Sequence, residues 1–121
     1  MVLEHAERVR SGVYLRITGA LLPAPRPRLG KHGAYLPARY RKHRDRLREL
    51  LTEHIPADKR SYSITLTVFR DLPVADRRYG DVDNLLKTVM DALGVDDLYV
   101  VSAVLRKCTG ENRVVLSVSW V

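Results

Sequence analysis

The sequence predicts a single small domain of the α+β class, with helices packed on a small mixed or antiparallel sheet and elements in the order β-α-β-α-β-β. Its length of 121 residues is the usual size of one domain and allows a hydrophobic core. Apolar residues recur with the period of a strand in some segments and with that of a helix in others. Since no internal repeat is present, we expect residues 1–121 to form one folding unit.

The first half of the chain contains one predicted strand and one predicted helix. Residues 1–11 are polar and form a lead-in that we expect to be flexible or at most briefly helical. Alternating apolar residues predict a strand over 13–18, whereas four prolines make 19–37 a predicted loop. Apolar residues at helical spacing, with Pro37 near the start, predict a helix over 38–54 that is ringed by arginine and lysine.

The second half contains a regular strand, a helix and two further strands. Residues 61–70 alternate strictly and predict a strand with one buried face. Residues 98–107 and 113–121 are also predicted strands, and the Thr-Gly pair and asparagine between them predict a β-hairpin. The helix covers 82–93, where the apolar residues form one amphipathic stripe at helical spacing: Val82, Leu85, Leu86, Val89, Met90 and Leu93.

The charge balance points to an anionic partner. The chain has 21 Lys and Arg against 14 Asp and Glu, a net charge of +7. The isoelectric point near 9.9 exceeds the value of about 9 that marks candidate nucleic-acid binders. Arginine supplies most of the charge, and its planar guanidinium suits phosphate recognition. The plainer alternative is a basic surface that is simply well solvated.

Cysteine usage and apolar runs bear on location. Cys108 is the one cysteine, which excludes an internal disulfide and a cysteine-based zinc site. No apolar run approaches the ~20 residues of a membrane span. The first residues lack the apolar segment of a secretory signal. We therefore expect a cytoplasmic protein that makes no membrane contact.

An acidic cluster interrupts this basic chain. Six of the fourteen acidic residues lie in the segment from Asp76 to Asp97. Asp83, Lys87 and Asp91 are four residues apart and line one strip of the predicted helix. A purely structural explanation stays open, because Asp81 stands at the N-cap position, Asp83 favours the helix dipole, and Asp83 with Lys87 is an ordinary i,i+4 pair.

The alternative explanation is a metal site. Asp96 and Asp97 precede the next strand after a short connection, so one of them can approach Asp81 and Asp83. Converging carboxylates repel one another unless a cation lies between them, and oxygen ligands suit Mg²⁺, with Mn²⁺ or Ca²⁺ as substitutes. Such an ion can bridge the protein to a phosphodiester, and Lys87 can stabilise charge in the transition state.

The pattern DVDNLLK at 81–87, followed by DAL at 91–93 and DD at 96–97, resembles the signature of RusA-type Holliday-junction resolvases. The resemblance covers most of the chain, but only two residues separate DAL from DD, where some relatives have several more. It implies a homodimeric, Mg²⁺-dependent endonuclease that resolves four-way DNA junctions by paired nicks, with Mn²⁺ as a substitute ion. It also implies site residues: metal-binding catalytic carboxylates at Asp81, Asp83 and Asp97, an essential Lys87, and Asp96 as a further candidate metal ligand.

Basic residues in the loop, in the first helix and before the acidic cluster are the predicted DNA contacts: Arg26, Arg28, Lys31, Arg39, Arg41, Lys42, Arg77 and Arg78. We expect about half of the basic residues in these regions to be paired with neighbouring acids instead. Two other functions remain open. One is a related metal nuclease acting on other branched DNA or on RNA. The other is a non-catalytic basic nucleic-acid-binding protein whose aspartates only cap and solvate a helix.

Overall fold

The computed structural model describes residues 1–25, 28–30 and 33–121. The main sheet has five strands: β1 (Val2–Val9), β2 (Gly12–Thr18), β5 (Tyr62–Arg70), β6 (Val100–Thr109) and β7 (Arg113–Trp120). A separate antiparallel pair contains β3 (Arg28–Gly30) and β4 (Gly33–Tyr35). The helices are α1 (Ala38–Thr52) and α2 (Val82–Leu93), and one 3-10 turn covers Asp97–Tyr99. The prediction of a small α+β domain with a mixed sheet is confirmed.

The order of strands across the sheet explains where α2 lies. The order is β1-β2-β7-β5-β6, in which β5 runs antiparallel to β7 and parallel to β6. A parallel pair requires a crossover connection, and α2 supplies it. The start of α2 therefore follows the carboxyl end of β5, and its end leads to the amino end of β6. Open α/β units commonly bind ligands at the carboxyl ends of their strands.

The predicted β-hairpin between the last two strands is wrong. β6 and β7 lie on opposite sides of β5, so they are not neighbours. Their connection crosses the end of β5, where Gly110 N–H donates to Arg70 O (2.9 Å) and Asp71 N–H donates to Asn112 Oδ1 (3.0 Å). The turn residues between the strands indicate a reversal of direction correctly, but they carry no information about which strand each one pairs with.

The expectation for residues 1–11 is also wrong, because residues 2–9 form the edge strand β1, antiparallel to β2. Most of its side chains are exposed, so the alternating apolar signal of a strand is missing. Backbone pairing holds β1, and Glu4 forms an ion pair with Arg16 (3.2 Å). The predicted loop 19–37 likewise contains the β3–β4 pair, which the prolines of that segment concealed.

The hydrophobic core lies between the helices and one face of the main sheet. The alternation predicted for β5 is confirmed by the burial of Tyr62, Ile64, Leu66 and Val68. The α2 stripe is buried at Leu85, Val89 and Leu93, while Val82 at its start is 44% exposed. Within the part of the chain that the structure describes, no helix has the length and apolar character needed to cross a membrane.

Residues 21–24, before the β3–β4 pair, are bound to both helices and to β5. Leu22 N–H donates to His43 Nε2 (3.1 Å), and Thr88 Oγ1 donates to Leu22 O (2.7 Å). Ala24 N–H donates to the backbone oxygen of Asn84 (2.9 Å). Burial, together with nearby positive charge, lowers the pKa of His43 to about 4, so its ring stays neutral and able to accept. This segment therefore lies in a defined position against the first half of α2.

Candidate functional site

The turn that precedes α2 is anchored by a buried tyrosine. Tyr79 is fully buried, and its hydroxyl lies 2.7 Å from Val68 O and 2.8 Å from Cys108 O, to which it can donate. The same hydroxyl accepts the Cys108 N–H (3.2 Å). Burial is the largest cause of a raised pKa at Tyr79, which keeps the hydroxyl protonated as a donor. Tyr79 thus joins the turn before α2 to β5 and β6.

Gly80 and Lys107 fix the next residue of this turn. Gly80 has a φ of 92°, a conformation that favours glycine, and a Cβ there would overlap with the Pro23 ring. Lys107 Nζ donates to the backbone oxygens of Gly80 (2.7 Å) and Val74 (2.6 Å) and lies 4.5 Å from the centroid of the Tyr79 ring. Pro23 and Lys107 therefore fix the backbone that leads from Gly80 into Asp81.

Asp81 follows this turn at the N-cap position of α2, but its carboxylate does not cap the helix. The backbone is extended there (φ −78°, ψ 154°), and no side-chain capping hydrogen bond is formed. Asp83, in the first helical turn, is exposed like Asp81. Neither carboxylate forms an ion pair or hydrogen bond with any described residue. The capping explanation for Asp81 is therefore wrong, and both carboxylates are available to a ligand.

Lys87 is paired with Asp91, the next acid along the strip, and not with Asp83. Its Nζ lies 3.2 Å from Asp91 Oδ1. Asp91 Oδ2 accepts a hydrogen bond from the hydroxyl of Tyr40 on α1 (2.9 Å). Burial first, and this hydrogen bond second, raise the pKa of Tyr40 to about 12. Tyr40 and Asp91 thus orient the ammonium group on the exposed side of α2.

Asp96 and Asp97 have different surroundings at the other end of α2. The side chain of Asp96 accepts the Leu98 N–H (3.0 Å) and caps the 3-10 turn. Asp97 lines a cavity of about 430 Å³ together with Lys87 and Asp91. The 12 residues of α2 separate Asp97 from Asp81 by a helix length of about 18 Å at 1.5 Å per residue.

The structure therefore does not bring Asp97 together with Asp81 and Asp83 in one chain. Among residues 1–25, 28–30 and 33–121, no group of three or more His, Cys, Asp or Glu side chains is arranged to hold a metal ion. Asp81 and Asp83 still provide two hard oxygen donors that pair with no described side chain. Mg²⁺ commonly binds through one or two carboxylates plus substrate phosphate and water, so this pair fits the chemistry of such an ion.

A cleft lined by arginines adjoins Asp81. Its volume is about 490 Å³, and it is lined by Arg39, Arg70, Arg77 and Arg78. Arg77, Pro23 and Pro25 also line a second cleft, of about 480 Å³, that contains Asp81. The two clefts share these walls, and Arg77 and Asp81 therefore line the same cleft.

The arginines of this cleft differ in their own partners. Arg78 is held by Asp76, and these hydrogen bonds lower the pKa of Asp76 to about 2. Arg39 and Arg77 form no ion pair with the described residues. Arg70 donates to Leu21 O (3.1 Å). It was not among the predicted DNA contacts, because it is the last residue of the regular strand β5.

The remaining predicted DNA contacts are scattered. Arg41 and Lys42 are exposed on α1, and Arg28 begins β3. Arg26 and Lys31 lie outside the described residues. Two basic residues of α1 pair with neighbouring acids, Arg44 with Asp45 and Arg46 with Glu49, and Arg78 pairs with Asp76. The expected fraction of about one half cannot be counted, since Arg26 and Lys31 lie outside the described residues.

Comparison with known proteins identifies one family. A family model described as Endodeoxyribonuclease RusA matches residues 19–119, which include the whole acidic cluster and every element after β2 except the last residue of β7. No curated protein matches the chain in sequence.

Substitution of Gly80 by alanine tests how firmly this turn is held. The positive φ alone costs roughly 1–2 kcal/mol for a residue with a Cβ, and overlap with the rigid Pro23 ring adds about 1–3 kcal/mol. Gly94 is the matched control, because its φ is also positive (69°) but a Cβ there meets only Arg48 Nε at 3.9 Å. In urea unfolding, we expect Gly80→Ala to lose clearly more stability than Gly94→Ala. Equal losses would show that Pro23 does not constrain the turn.

Proposed function

The chain belongs to the RusA family of endodeoxyribonucleases, and we propose that it is a Mg²⁺-dependent enzyme that resolves four-way DNA junctions by paired symmetric nicks, in recombination and repair. The observation that carries the proposal is the carboxylate of Asp81, which forms no hydrogen bond or ion pair with the described residues and lines a cleft that shares Arg77 with the arginine-lined cleft. Asp83 supplies a second exposed carboxylate two residues further along α2. A basic cleft attracts a phosphate, and two carboxylates repel it unless a cation lies between.

Each site residue has a role in this proposal. Asp81 and Asp83 hold the divalent ion, for which Mn²⁺ is a substitute. Asp97, which lies at the other end of α2 in its own chain, stays the predicted third carboxylate. The bound ion supplies Lewis-acid polarisation of the phosphate and lowers the pKa of a water nucleophile. Lys87, oriented by Asp91, places a positive charge where the phosphate gains negative charge during the reaction. Asp96 is not assigned a metal in this scheme, because its carboxylate caps the 3-10 turn.

The substrate is held mainly through its backbone. Arg39, Arg70 and Arg77 contact phosphates next to the scissile one, which positions the DNA without reading its sequence. Two symmetric nicks require two sites related by a two-fold axis, which a homodimer provides. A cytoplasmic location, in contact with DNA, stays a prediction from the sequence.

Two alternatives make different predictions. A related metal nuclease would cut flaps, other branched DNA or RNA as well as four-way junctions, so cleavage of a panel of these substrates and linear duplex distinguishes it. A non-catalytic binding protein would use its aspartates only for capping and solvation. The uncapped carboxylate of Asp81 argues against that second alternative.

Asp83→Asn tests the catalytic assignment. The change nearly preserves shape but removes one metal-binding charge, so we expect cleavage of a synthetic four-way junction in Mg²⁺ to fall at least a hundredfold, about the scale seen when a catalytic electrostatic group is removed. Junction binding should be retained or strengthened, because a negative charge near phosphate is removed. Asp58→Asn is the control, since Asp58 is an exposed acid in the loop before β5. Cleavage by Asp83→Asn at the wild-type rate would show that the assignment is wrong.

Removal of the cleft arginines tests the path of the DNA. Each phosphate bound by the protein contributes about 0.9 to the slope of log affinity against log salt concentration. We therefore expect Arg39→Ala and Arg77→Ala each to weaken junction binding and to reduce that slope by roughly 0.9 for every phosphate that the variant no longer binds. Arg46→Ala is the control, because Arg46 is exposed and paired with Glu49. An unchanged slope in both cleft variants would place the DNA elsewhere.

A further inference from the structure

The arginine-lined cleft has two kinds of wall. One wall is apolar and comes from the segment before the β3–β4 pair and from the residue before α1: Leu22, Pro23, Pro25 and Pro37. The other wall is cationic and consists of four arginines: Arg39, Arg70, Arg77 and Arg78. The volume of about 490 Å³ lies in the range of sites for small organic ligands, about 300–1,000 Å³. A phosphate alone uses only the cationic wall, so the apolar wall indicates a larger ligand.

The apolar wall is held in place by the protein itself. Leu22 donates its backbone N–H to His43 and accepts a hydrogen bond from Thr88, whose side chain is fully buried. The other three residues of this wall are prolines, whose side chains lose almost no conformational entropy when they are covered. The apolar wall is therefore preorganised to bind an apolar group.

The cationic wall carries charge that the protein does not neutralise. Within the described part of the chain, Arg39, Arg70 and Arg77 form no ion pair, and Nε of Arg70 is buried without a hydrogen-bond partner. Burial first, and then the positive charges of the amino terminus, Arg39 and Arg70, lower the pKa of His43 to about 4. Guanidinium groups without acidic partners in one cleft favour an anion, and their geometry suits a phosphate.

We propose that this cleft binds one unstacked nucleotide of the DNA strand, with the base on the apolar wall and the phosphate on the cationic wall. A nucleotide joins a flat, largely apolar ring to an anion, which is the combination that the two walls require. Guanidinium planes also stack on unpaired bases, so the arginines can contribute to the base contact. This inference rests on the proposed function, since it names the part of the DNA that the cleft recognises.

The position of the cleft relates this nucleotide to the site of cleavage. Pro23, Pro25 and Arg77 line both this cleft and the cleft of Asp81, so the nucleotide lies close along the strand to the phosphate in the proposed site. In a continuous duplex, withdrawing a base breaks its pairing and stacking, and the cost is least where the base is already unpaired. The cleft therefore favours branched DNA over linear duplex.

Binding of small ligands tests the two walls without relying on cleavage. The full chain is titrated with inorganic phosphate, deoxyribose 5-phosphate or thymidine 5′-monophosphate while backbone amide shifts are followed by NMR. We expect the mononucleotide to bind at least about fivefold more tightly than the sugar phosphate, the lower end of what base stacking contributes. The amides of Leu22 and Arg39 should shift. A smaller difference in affinity, or shifts confined to other parts of the chain, would overturn the proposal.

Substitutions in each wall separate the two contacts. Leu22→Ala and Pro25→Ala remove apolar surface and leave the arginines, so we expect a weaker preference for the mononucleotide over the sugar phosphate and unchanged binding of inorganic phosphate. Arg70→Ala should weaken the binding of all three ligands. Leu3→Ala is the control, because Leu3 is a partly buried leucine of β1 that packs against the core away from the cleft. An unchanged preference in both apolar-wall variants would count against the base contact.

A fluorescent base tests the same contact in the branched substrate. 2-Aminopurine, which brightens when it leaves the base stack, is placed in turn at each position beside the branch point of a four-way junction. The junction is bound to Asp83→Asn so that it stays uncut. We expect a several-fold rise at one position, no rise in a linear duplex, and loss of the rise when Leu22→Ala and Pro25→Ala are added. No rise at any position, or a rise that persists in that variant, would contradict the inference.

The ligand titration and the cleavage assay separate this inference from the proposed function. A mononucleotide bound in the cleft of a protein that cuts no junction would refute the function and leave the binding site standing. Junction cleavage that depends on Asp83, with no contribution of the base to binding in the cleft, would refute the inference and leave the function standing.

Discussion

The hydrogen bonds of the Tyr79 hydroxyl are the constraint on which the site depends. They join the segment before α2 to β5 and β6 at one point inside the core. Gly80 then has room for only a hydrogen atom beside Pro23, and the Lys107 ammonium holds its carbonyl oxygen. The backbone at Asp81 is therefore fixed by buried contacts. The Asp81 side chain can therefore be exposed to solvent while its backbone stays fixed, as the binding of an ion and a phosphate requires.

The electrostatics of the chain follow from the same arrangement. Arg70 and Lys107 are both within cation-π distance of the Tyr79 ring, so the buried anchor is surrounded by positive charge. Arg39 and Arg77 extend that charge outward along the cleft. Asp81 and Asp83, at the start of α2, are negative charges in a region whose positive potential attracts anions. In the proposed function, a cation between these carboxylates and a phosphate would resolve the conflict in this protein of net charge +7.

The elements with buried faces could be predicted from the sequence, and so could β6 from its uncharged run, whereas the exposed edge strand β1 could not. Alternation in β5 and the apolar stripe of α2 marked their secondary structure and the faces they bury, because both pack against the core. β1 has almost no buried side chain, so its residues carry no periodic signal. The partners of β6 and β7 depend on the crossover through α2, which no local pattern encodes. Sequence spacing likewise brought Asp97 close to Asp81 along the chain, whereas the length of α2 separates them in space.

The site residues that the sequence did not predict also depend on contacts between elements that are distant in sequence. Arg70 belongs to a strand pattern, and only the fold shows that it ends in the same cleft as Arg39 and Arg77. Lys107 and Tyr79 are distant in sequence, and their contact depends on the parallel pairing of β5 with β6. Asp83 and Asp91 are each four residues from Lys87, so sequence spacing does not decide between them. Lys87 pairs with Asp91, whose carboxylate also accepts a hydrogen bond from Tyr40 of α1.

In the proposed mechanism, Asp81 and Asp83 would hold a divalent ion that also contacts the scissile phosphate. Replacing a non-bridging oxygen of that phosphate by sulfur tests it most directly, because Mn²⁺ accepts softer ligands more readily than Mg²⁺ does. We expect the sulfur-substituted junction to be cut poorly in Mg²⁺ and Mn²⁺ to restore much of the rate. An equal effect of sulfur in both ions, with the unsubstituted junction cut normally in each, would contradict it.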